Sequence, residues 1–262
     1  MLSGSGHGIA YSVLLLAALG FVLAFAATGV LRAIFPYPID GLEPGALQEV
    51  NRVLAGQPLY VAPALDYVPQ IYAPALFYLA APLAALSGSS QFGLRATSLL
   101  ASLGSIGLLV LLIRRETGHL GMGLFAGALL AACDQLVDGS MDIGRTDAVA
   151  LFFLLAATYA THQAAFQPRA TWRSGAIGGC LLGLALLSKQ SGLPVALALV
   201  AVLAAIRHRQ LLPLVAAAVL TSAAGLGLLV LQSGSWPLFY LCSSDLAMPP
   251  IGRLMLNARD FL

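Results

Sequence analysis

The sequence predicts an all-α polytopic membrane protein, and three observations carry that reading. Hydrophobic residues make up 59% of the 262 positions and charged ones 9%, and the mean hydropathy is +0.89, far above a soluble domain. Apolar runs of spanning length recur along almost the whole chain, as consecutive membrane helices require. Charged residues collect in the short stretches between those runs and sort by sign, arginine pairs in one set of loops and acids in the other.

Taken in order, the apolar runs are 9–31, 71–87, 95–113, 119–137, 147–165, 174–188, 191–206 and 211–231. The first is too long for a signal peptide, shows no small-residue cleavage site and is followed by further runs. The second is short, carries Pro74 and Pro82, and is crowded with Tyr72, Phe77 and Tyr78. Parity decides how to read it. With the N-terminus cytoplasmic and 71–87 not crossing, Arg114, Arg115, Arg169, Arg173, Arg207 and Arg209 all fall on the cytoplasmic side, as the positive-inside rule favours. The same choice puts every acid except Glu116 at the outer face. The expectation is therefore seven transmembrane helices, with 71–87 a re-entrant or interfacial helix in the first outer loop. The seven-helix module covers residues 1–232, its long outer loop covers 32–94, and residues 233–262 form an outer-face segment with Pro237, Pro249 and Pro250.

Within the outer loop, Pro44 suits the first turn of a helix capped by Glu43. Leu47, Val50 and Leu54 recur at helical spacing, while Gln48, Glu49, Asn51 and Arg52 face the other way. Gly56 is placed to end that helix, which should lie on the membrane surface, with Arg52 toward lipid headgroups or, as the weaker alternative, toward a phosphate. A net charge of +2 without a basic run excludes nucleic acid as a partner. Cys133, Cys180 and Cys242 are odd in number and widely spaced, so they form no disulfide framework. His7, His119, His162 and His208 have no zinc spacing.

The most informative phrase is Met141-Asp142-Ile143-Gly144-Arg145-Thr146-Asp147, wedged between two apolar runs. An ionised carboxylate beside hydrocarbon costs kilocalories unless it is paired or sits in a wet cavity. The phrase is thus a polar site at a membrane face, or a polar turn. A second acidic cluster, Asp40 and Glu43 followed by Glu49, lies in the first outer loop and favours the site. Asp134 and Asp138 extend the acidic stripe toward the membrane at four-residue spacing. Lys189, the only lysine, falls between two apolar runs on the outer side, against the orientation rule.

Several phrases now read together: Tyr37-Pro-Ile-Asp40-Gly-Leu-Glu43-Pro-Gly, Leu54-Ala-Gly-Gln-Pro-Leu-Tyr60, Asp66-Tyr-Val-Pro-Gln-Ile-Tyr-Ala-Pro74, Arg114-Arg115, Asp142-Ile-Gly-Arg145-Thr-Asp147 and Leu186-Leu-Ser-Lys189-Gln190. In this order and spacing the chain resembles the GT-C superfamily of integral membrane glycosyltransferases, nearest its protein O-mannosyltransferase and lipid A aminoarabinose transferase branch. The resemblance implies a glycosyltransferase of the cell (inner) membrane. It would move a sugar from a polyprenyl-phosphate donor to a lipid, glycan or protein acceptor at the outer face. It also implies an aspartate of the first outer loop as catalytic base, which maps onto Asp40 with Glu43 beside it. A second acidic site maps onto Asp142 and Asp147. A typical member continues for several more helices, so residues 233–262 read as the start of a longer outer part.

The chemistry fits these residue types. Displacing a phosphate from an anomeric carbon needs a base for the acceptor proton and cations around the leaving phosphate. Asp40 can serve as the base or cap the following helix. Arg145 and Lys189 are the candidate phosphate partners. Their alternatives are pairing of Arg145 with Asp142 and snorkelling of Lys189 at the interface. Asp142 and Asp147 are candidate ligands for a divalent cation, magnesium or manganese, or else neutralise Arg145. Tyr60, Tyr67, Tyr72 and Tyr78 line a sugar or prenyl groove, or anchor the loop as an aromatic belt. Two rival functions share these features: a truncated non-catalytic relative acting as an assembly partner, and a transporter or flippase component, which an inverted repeat would mark.

Overall fold

The computed structural model describes residues 4–134, 139–167, 171–206 and 208–242. Asp138, Arg169, Arg207 and the outer segment from 243 onward lie outside them. The described residues fold into ten α-helices: α1 (Gly4–Ile34), α2 (Glu43–Leu54), α3 (Ala75–Ser87), α4 (Ser90–Thr117), α5 (Leu120–Cys133), α6 (Thr146–Phe166), α7 (Trp172–Leu186), α8 (Leu193–Ile206), α9 (His208–Ser233) and α10 (Trp236–Cys242). A 3-10 turn, Gln190–Gly192, precedes α8. Each of the eight apolar runs read from the sequence contains an α-helix among the described residues. Four of them are long and apolar enough to cross a membrane: Gly8–Ile34, Ser90–Thr117, Thr146–Phe166 and Arg209–Ser233. The helices α5, α7 and α8 are apolar but shorter. With 13 residues, α3 is about 20 Å long, well short of the ~30 Å hydrocarbon layer.

Why the helices close so tightly is written in small residues. At Gly179 on α7 an added Cβ would lie 2.1 Å from the Leu214 carbonyl oxygen of α9, and at Gly93 on α4 it would lie 2.4 Å from the Ala84 nitrogen of α3. Where lipid offers no hydrophobic gain for burying one helix on another, such close backbone approach drives association. Large apolar side chains point the other way. Leu16, Phe21 and Leu31 on α1 and Leu220 and Leu231 on α9 are exposed, as lipid-facing surfaces require.

Two apolar cores result. One gathers Val50, Leu59, Tyr60, Leu76, Phe77 and Leu94 beneath the α1–α4 connection, and the other gathers Ala157, Leu182, Leu203 and Leu214 between α6, α7, α8 and α9. Polar contacts mark the two ends of the bundle. At one end Arg32, at the close of α1, meets Asp142, which precedes α6, while Lys189, after α7, meets Asp147 in its first turn. At the other end Glu116 of α4 meets His162 of α6 at 2.7 Å. Consecutive long helices therefore run alternately toward and away from one polar end.

The α1–α4 connection is built at that end. The helix α2 starts with Glu43 as its first residue and Pro44 as its second, and Leu42 occupies the cap position. Glu43 is thus not the cap the sequence suggested; its side chain turns inward to another partner. At the far end Gly56 has a φ of 67°, and the Gly56 and Gln57 amides donate to the Val53 and Arg52 carbonyls at 3.0 and 2.8 Å. This is a Schellman turn, and it needs a residue without a Cβ penalty at Gly56. The reversal carries Pro58 back over Arg52. Arg52 donates twice to the Pro58 carbonyl, at 2.9 and 2.8 Å, and lies 4.1 Å over the Tyr67 ring. The expectation that Arg52 faces lipid headgroups is corrected accordingly.

Candidate active site

The candidate site is organised by Arg95, near the start of α4, which is fully buried. Its Nε and Nη2 donate to Glu43 Oε1 and Oε2 at 2.8 and 2.7 Å. Its remaining N–H groups reach the carbonyls of Arg32, Phe35 and Tyr37, each at 2.6 Å. Every donor of the guanidinium fork is thereby used. Glu43 is equally saturated: Oε2 accepts the Ile39 amide at 2.7 Å and Oε1 accepts the Gly144 amide at 3.0 Å. Burial alone would raise the Glu43 carboxyl, but the Arg95 hydrogen bonds, the two amides and the Arg95 charge together hold it below the usual carboxylate range.

That pair joins the two acidic clusters, which lie about a hundred residues apart in sequence. The junction is tight at Gly144, where an added Cβ would lie 2.4 Å from the Leu94 side chain and 3.3 Å from Glu43 Cγ, so Leu94 would have to shift to admit it. Beside this junction Asp40 Oδ2 lies 3.4 Å from Arg145 Nε, with both side chains about one-quarter exposed. Asp40 Oδ1 accepts the Leu42 amide at 3.3 Å, whereas Oδ2 is enclosed and has no hydrogen-bond partner.

Asp142 is buried and pairs at 2.6 Å with Arg32. Its carboxyl is raised by burial, with the Arg32 hydrogen bond and charge opposing. Pairing of Arg145 with Asp142 is not what forms. Residues 141–144 are bent and α6 starts at Thr146, so the helical three-residue spacing that would make them neighbours does not exist there. Asp134 accepts the Met141 amide at 2.9 Å, and Ser102 Oγ donates to the Met141 carbonyl. These contacts fix the loop from below.

Lys189 Nζ lies 2.6 Å from Asp147 Oδ1 and 5.7 Å from the centre of the Tyr72 ring. The α3 start is tied to the same corner, with the Ala75 amide donating to the Leu187 carbonyl at 3.0 Å and Gln190 Nε2 to the Ile71 carbonyl at 2.9 Å. A small cleft lies among Leu42, Gln70, Tyr72, Gly144, Arg145 and Asp147. Two of its lining residues, Arg145 and Asp147, are the ion-pair partners of Asp40 and Lys189. Below that corner an apolar groove of about 360 Å³ runs between α3, α7 and α9, lined by Pro74, Leu79, Phe153, Leu187 and Leu228. At its mouth Tyr78 donates to Gln232 at 3.2 Å.

The four tyrosines divide. Tyr60 and Tyr67 are buried, with hydroxyls committed to the loop's own groups. Tyr72 faces Lys189, and Tyr78 lines the groove. Among the described residues no three His, Cys, Asp or Glu side chains gather where one metal ion could sit. Asp142 and Asp147 instead each face a basic side chain, so a cation there would compete with Arg32 and Lys189. Arg32 and Arg95 belong to no motif in the sequence, although a signal exists: an arginine at the edge of an apolar run is costly unless it has a buried partner.

A family model described as dolichyl-phosphate-mannose-protein mannosyltransferase matches residues 71–236. The match takes in Arg95, Asp142, Arg145, Asp147 and Lys189, and begins after Asp40 and Glu43. Neither a search of curated proteins nor one of solved structures returns a match. With more than half of its length matched, this multi-pass helical chain belongs to the dolichyl-phosphate-mannose-protein mannosyltransferase family and is a membrane protein of glycosyltransferase type.

Proposed function

We propose that the chain forms a seven-span GT-C module that transfers a sugar from a polyprenyl-phosphate donor to an acceptor at the outer face of the cell membrane. One observation carries the reading: Arg145 and Asp147 line one cleft, and each is paired with a charged side chain from another connection, Asp40 at 3.4 Å and Lys189 at 2.6 Å. The alternating direction of α1, α4, α5, α6, α7, α8 and α9 supports seven crossings, with the shorter helices accommodated by local thinning of the bilayer. In this reading α3 stays within the outer half of the membrane.

Asp40 is the base. Its Oδ2 is free of hydrogen bonds and lies beside Arg145, where it can take the acceptor hydroxyl proton. Glu43, with both oxygens occupied, positions the Asp40 and Arg145 loops and takes no proton. Arg145 and Lys189 receive the phosphate as it leaves with the anomeric bonding pair, exchanging carboxylate partners for phosphate oxygens. The prenyl chain lies in the apolar groove that opens beside Leu187, two residues before Lys189. Asp142 holds Arg32 and so fixes the end of α1. No step is assigned to a divalent cation.

The test is transfer of labelled sugar from a lipid-linked donor in membranes containing the protein. Transfer that depends on Asp40 and Lys189 supports the reading. Transfer unaffected by Asp40→Asn overturns the base assignment.

A further inference from the structure

Glu49 of α2 is a buried carboxyl that the transfer reading does not use. It is 1% exposed, and the cation nearest its surroundings, Arg52, is spent on the Pro58 carbonyl and the Tyr67 ring. Glu49 Oε1 accepts the Gln70 amide at 2.9 Å. Glu49 Oε2 lies 2.6 Å from the Tyr67 hydroxyl, and that same hydroxyl lies 2.6 Å from the Leu59 carbonyl oxygen. A phenol carries one hydrogen. One hydrogen serves only one of the two oxygens well, so both short contacts are fully satisfied when a second proton is present, and the only other atom of the three that can carry it is Glu49 Oε2.

We propose that Glu49 and Tyr67 form a proton-operated latch: a neutral Glu49 carboxyl donates to the Tyr67 hydroxyl, which donates to the Leu59 carbonyl, and loss of that proton loosens the 59–70 segment that walls the candidate site. The proton count balances in both states. With Glu49 ionised, the Tyr67 hydrogen turns to the carboxylate, and the fully buried Leu59 carbonyl is left without its donor. The coupling to the site runs through Gln70. Its amide is held by Glu49, its side chain donates to the Leu42 carbonyl at 3.3 Å, and it lines the cleft beside Arg145 and Asp147. Gly45 makes room for that side chain, since an added Cβ would lie 2.4 Å from Gln70 Nε2.

The other groups electrostatically coupled to Glu49 are Tyr60, Tyr78 and Tyr240, together with Arg52. Tyr60 gives its hydrogen to the Tyr72 carbonyl, Tyr78 gives its own to Gln232, and the Tyr240 hydroxyl has no hydrogen-bond partner; the tyrosines bring no positive charge to Glu49, and the pull of Arg52 is outweighed by burial. Burial pushes the Glu49 carboxyl up to about 6, against the opposing effects of Tyr67, Gln70 and Arg52. Because the closed form holds the proton more tightly than an open loop, with its ordinary value of 4.5, the latch is strongest in acid. Its stabilisation is present in full below the open-form value and is lost as pH rises through about 6.

The experiment uses the whole chain in lipid nanodiscs and does not depend on sugar transfer. Infrared difference spectra between about pH 5 and about pH 7.5 should show the carbonyl stretch of a protonated carboxylic acid, absent in Glu49→Gln, across the window in which linkage acts. Amide exchange at Gln70, corrected for its intrinsic pH dependence, should be roughly eightfold slower at the acid end, since about pH 5 lies between the open-form and closed-form values and the shift is only partly expressed there. In Glu49→Gln the amide group keeps both contacts, its NH₂ donating to Tyr67, so protection should stay high at both pH values. Tyr67→Phe should lose it at both. A Glu49 band missing from the acid spectrum, or an exchange difference that persists unchanged in Glu49→Gln, overturns the latch.

Discussion

The Arg95 guanidinium and the Glu43 carboxylate meet through paired hydrogen bonds of 2.8 and 2.7 Å, and both side chains are fully buried. They come from different parts of the chain, the start of α4 and the first turn of α2. Between them they also bind the carbonyls of Arg32, Phe35 and Tyr37 and the amides of Ile39 and Gly144. The pair therefore sets the path of residues 35–40, which carry Asp40, and holds the loop that carries Arg145. A bidentate arginine suits this role because its planar fork fixes direction as well as distance.

Breaking the pair from one side should be severe. Arg95→Met leaves Glu43 buried without its charge partner and removes the donor of three carbonyls, a class of change that costs about 3–5 kcal/mol. The expected outcome is a much lower thermal midpoint of the detergent-solubilised protein, or loss of the folded protein. Glu43→Gln in the same chain should recover part of the loss, because the stranded charge is gone. If Arg95→Met melts with the wild type, the pair is not what holds this end together.

The helices could be read from the sequence because each announces itself through local composition, and each of the eight apolar runs holds a helix among the described residues. The same local signal placed the α2 stop at Gly56. What it could not give was partner choice among charges. Arg145 reads as the neighbour of Asp142 only if the chain between them is helical; the bend at 141–144 sends Asp142 to Arg32 and Arg145 to Asp40. Likewise Glu43 reads as a cap until Arg95, 52 residues on, supplies a buried partner. Such pairings follow from how helix ends meet in space, and no spacing along the chain encodes them.

Asp40→Asn tests the chemistry most directly. Asparagine keeps an oxygen for the Leu42 amide that Asp40 Oδ1 accepts at 3.3 Å, so the loop should keep its shape. It cannot take a proton. Losing a general base should lower the rate of transfer by about 10²–10⁴, with yield and thermal midpoint close to wild type. Sugar transfer at saturating donor is the readout, and an unchanged rate removes Asp40 from the mechanism.

Lys189 and Asp147 should separate donor binding from turnover. Lys189→Ala removes one charge-assisted contact to phosphate, worth roughly 1.5–3 kcal/mol, and should raise KM for the lipid-linked donor by about ten- to a hundredfold. Asp147→Asn removes the competitor that holds Lys189 at 2.6 Å, and should leave KM for the donor unchanged or lower it. Initial rates against donor concentration distinguish the two. A rise in KM of similar size for both variants would mean that the ion pair itself, as a structural tie between α6 and the end of α7, is what the donor site needs.

Orientation can be settled without activity. Leu65, at the tip of the α1–α4 connection, is fully exposed, while Glu116 marks the opposite end of the bundle beside His162. If the site end faces outward, cysteine at position 65 should react with a membrane-impermeant thiol reagent on intact cells. Cysteine at position 116 should react only after the membrane is opened. The native Cys133, Cys180 and Cys242 must first be replaced, since Cys133 and Cys180 are both free and exposed. The charge argument for this orientation rests on Arg114, Arg115 and Arg173 at the Glu116 end, where an inner leaflet would hold them. Reaction at 116 with protection at 65 would invert the topology, and the sugar donor would then have to be presented from the cytoplasmic leaflet.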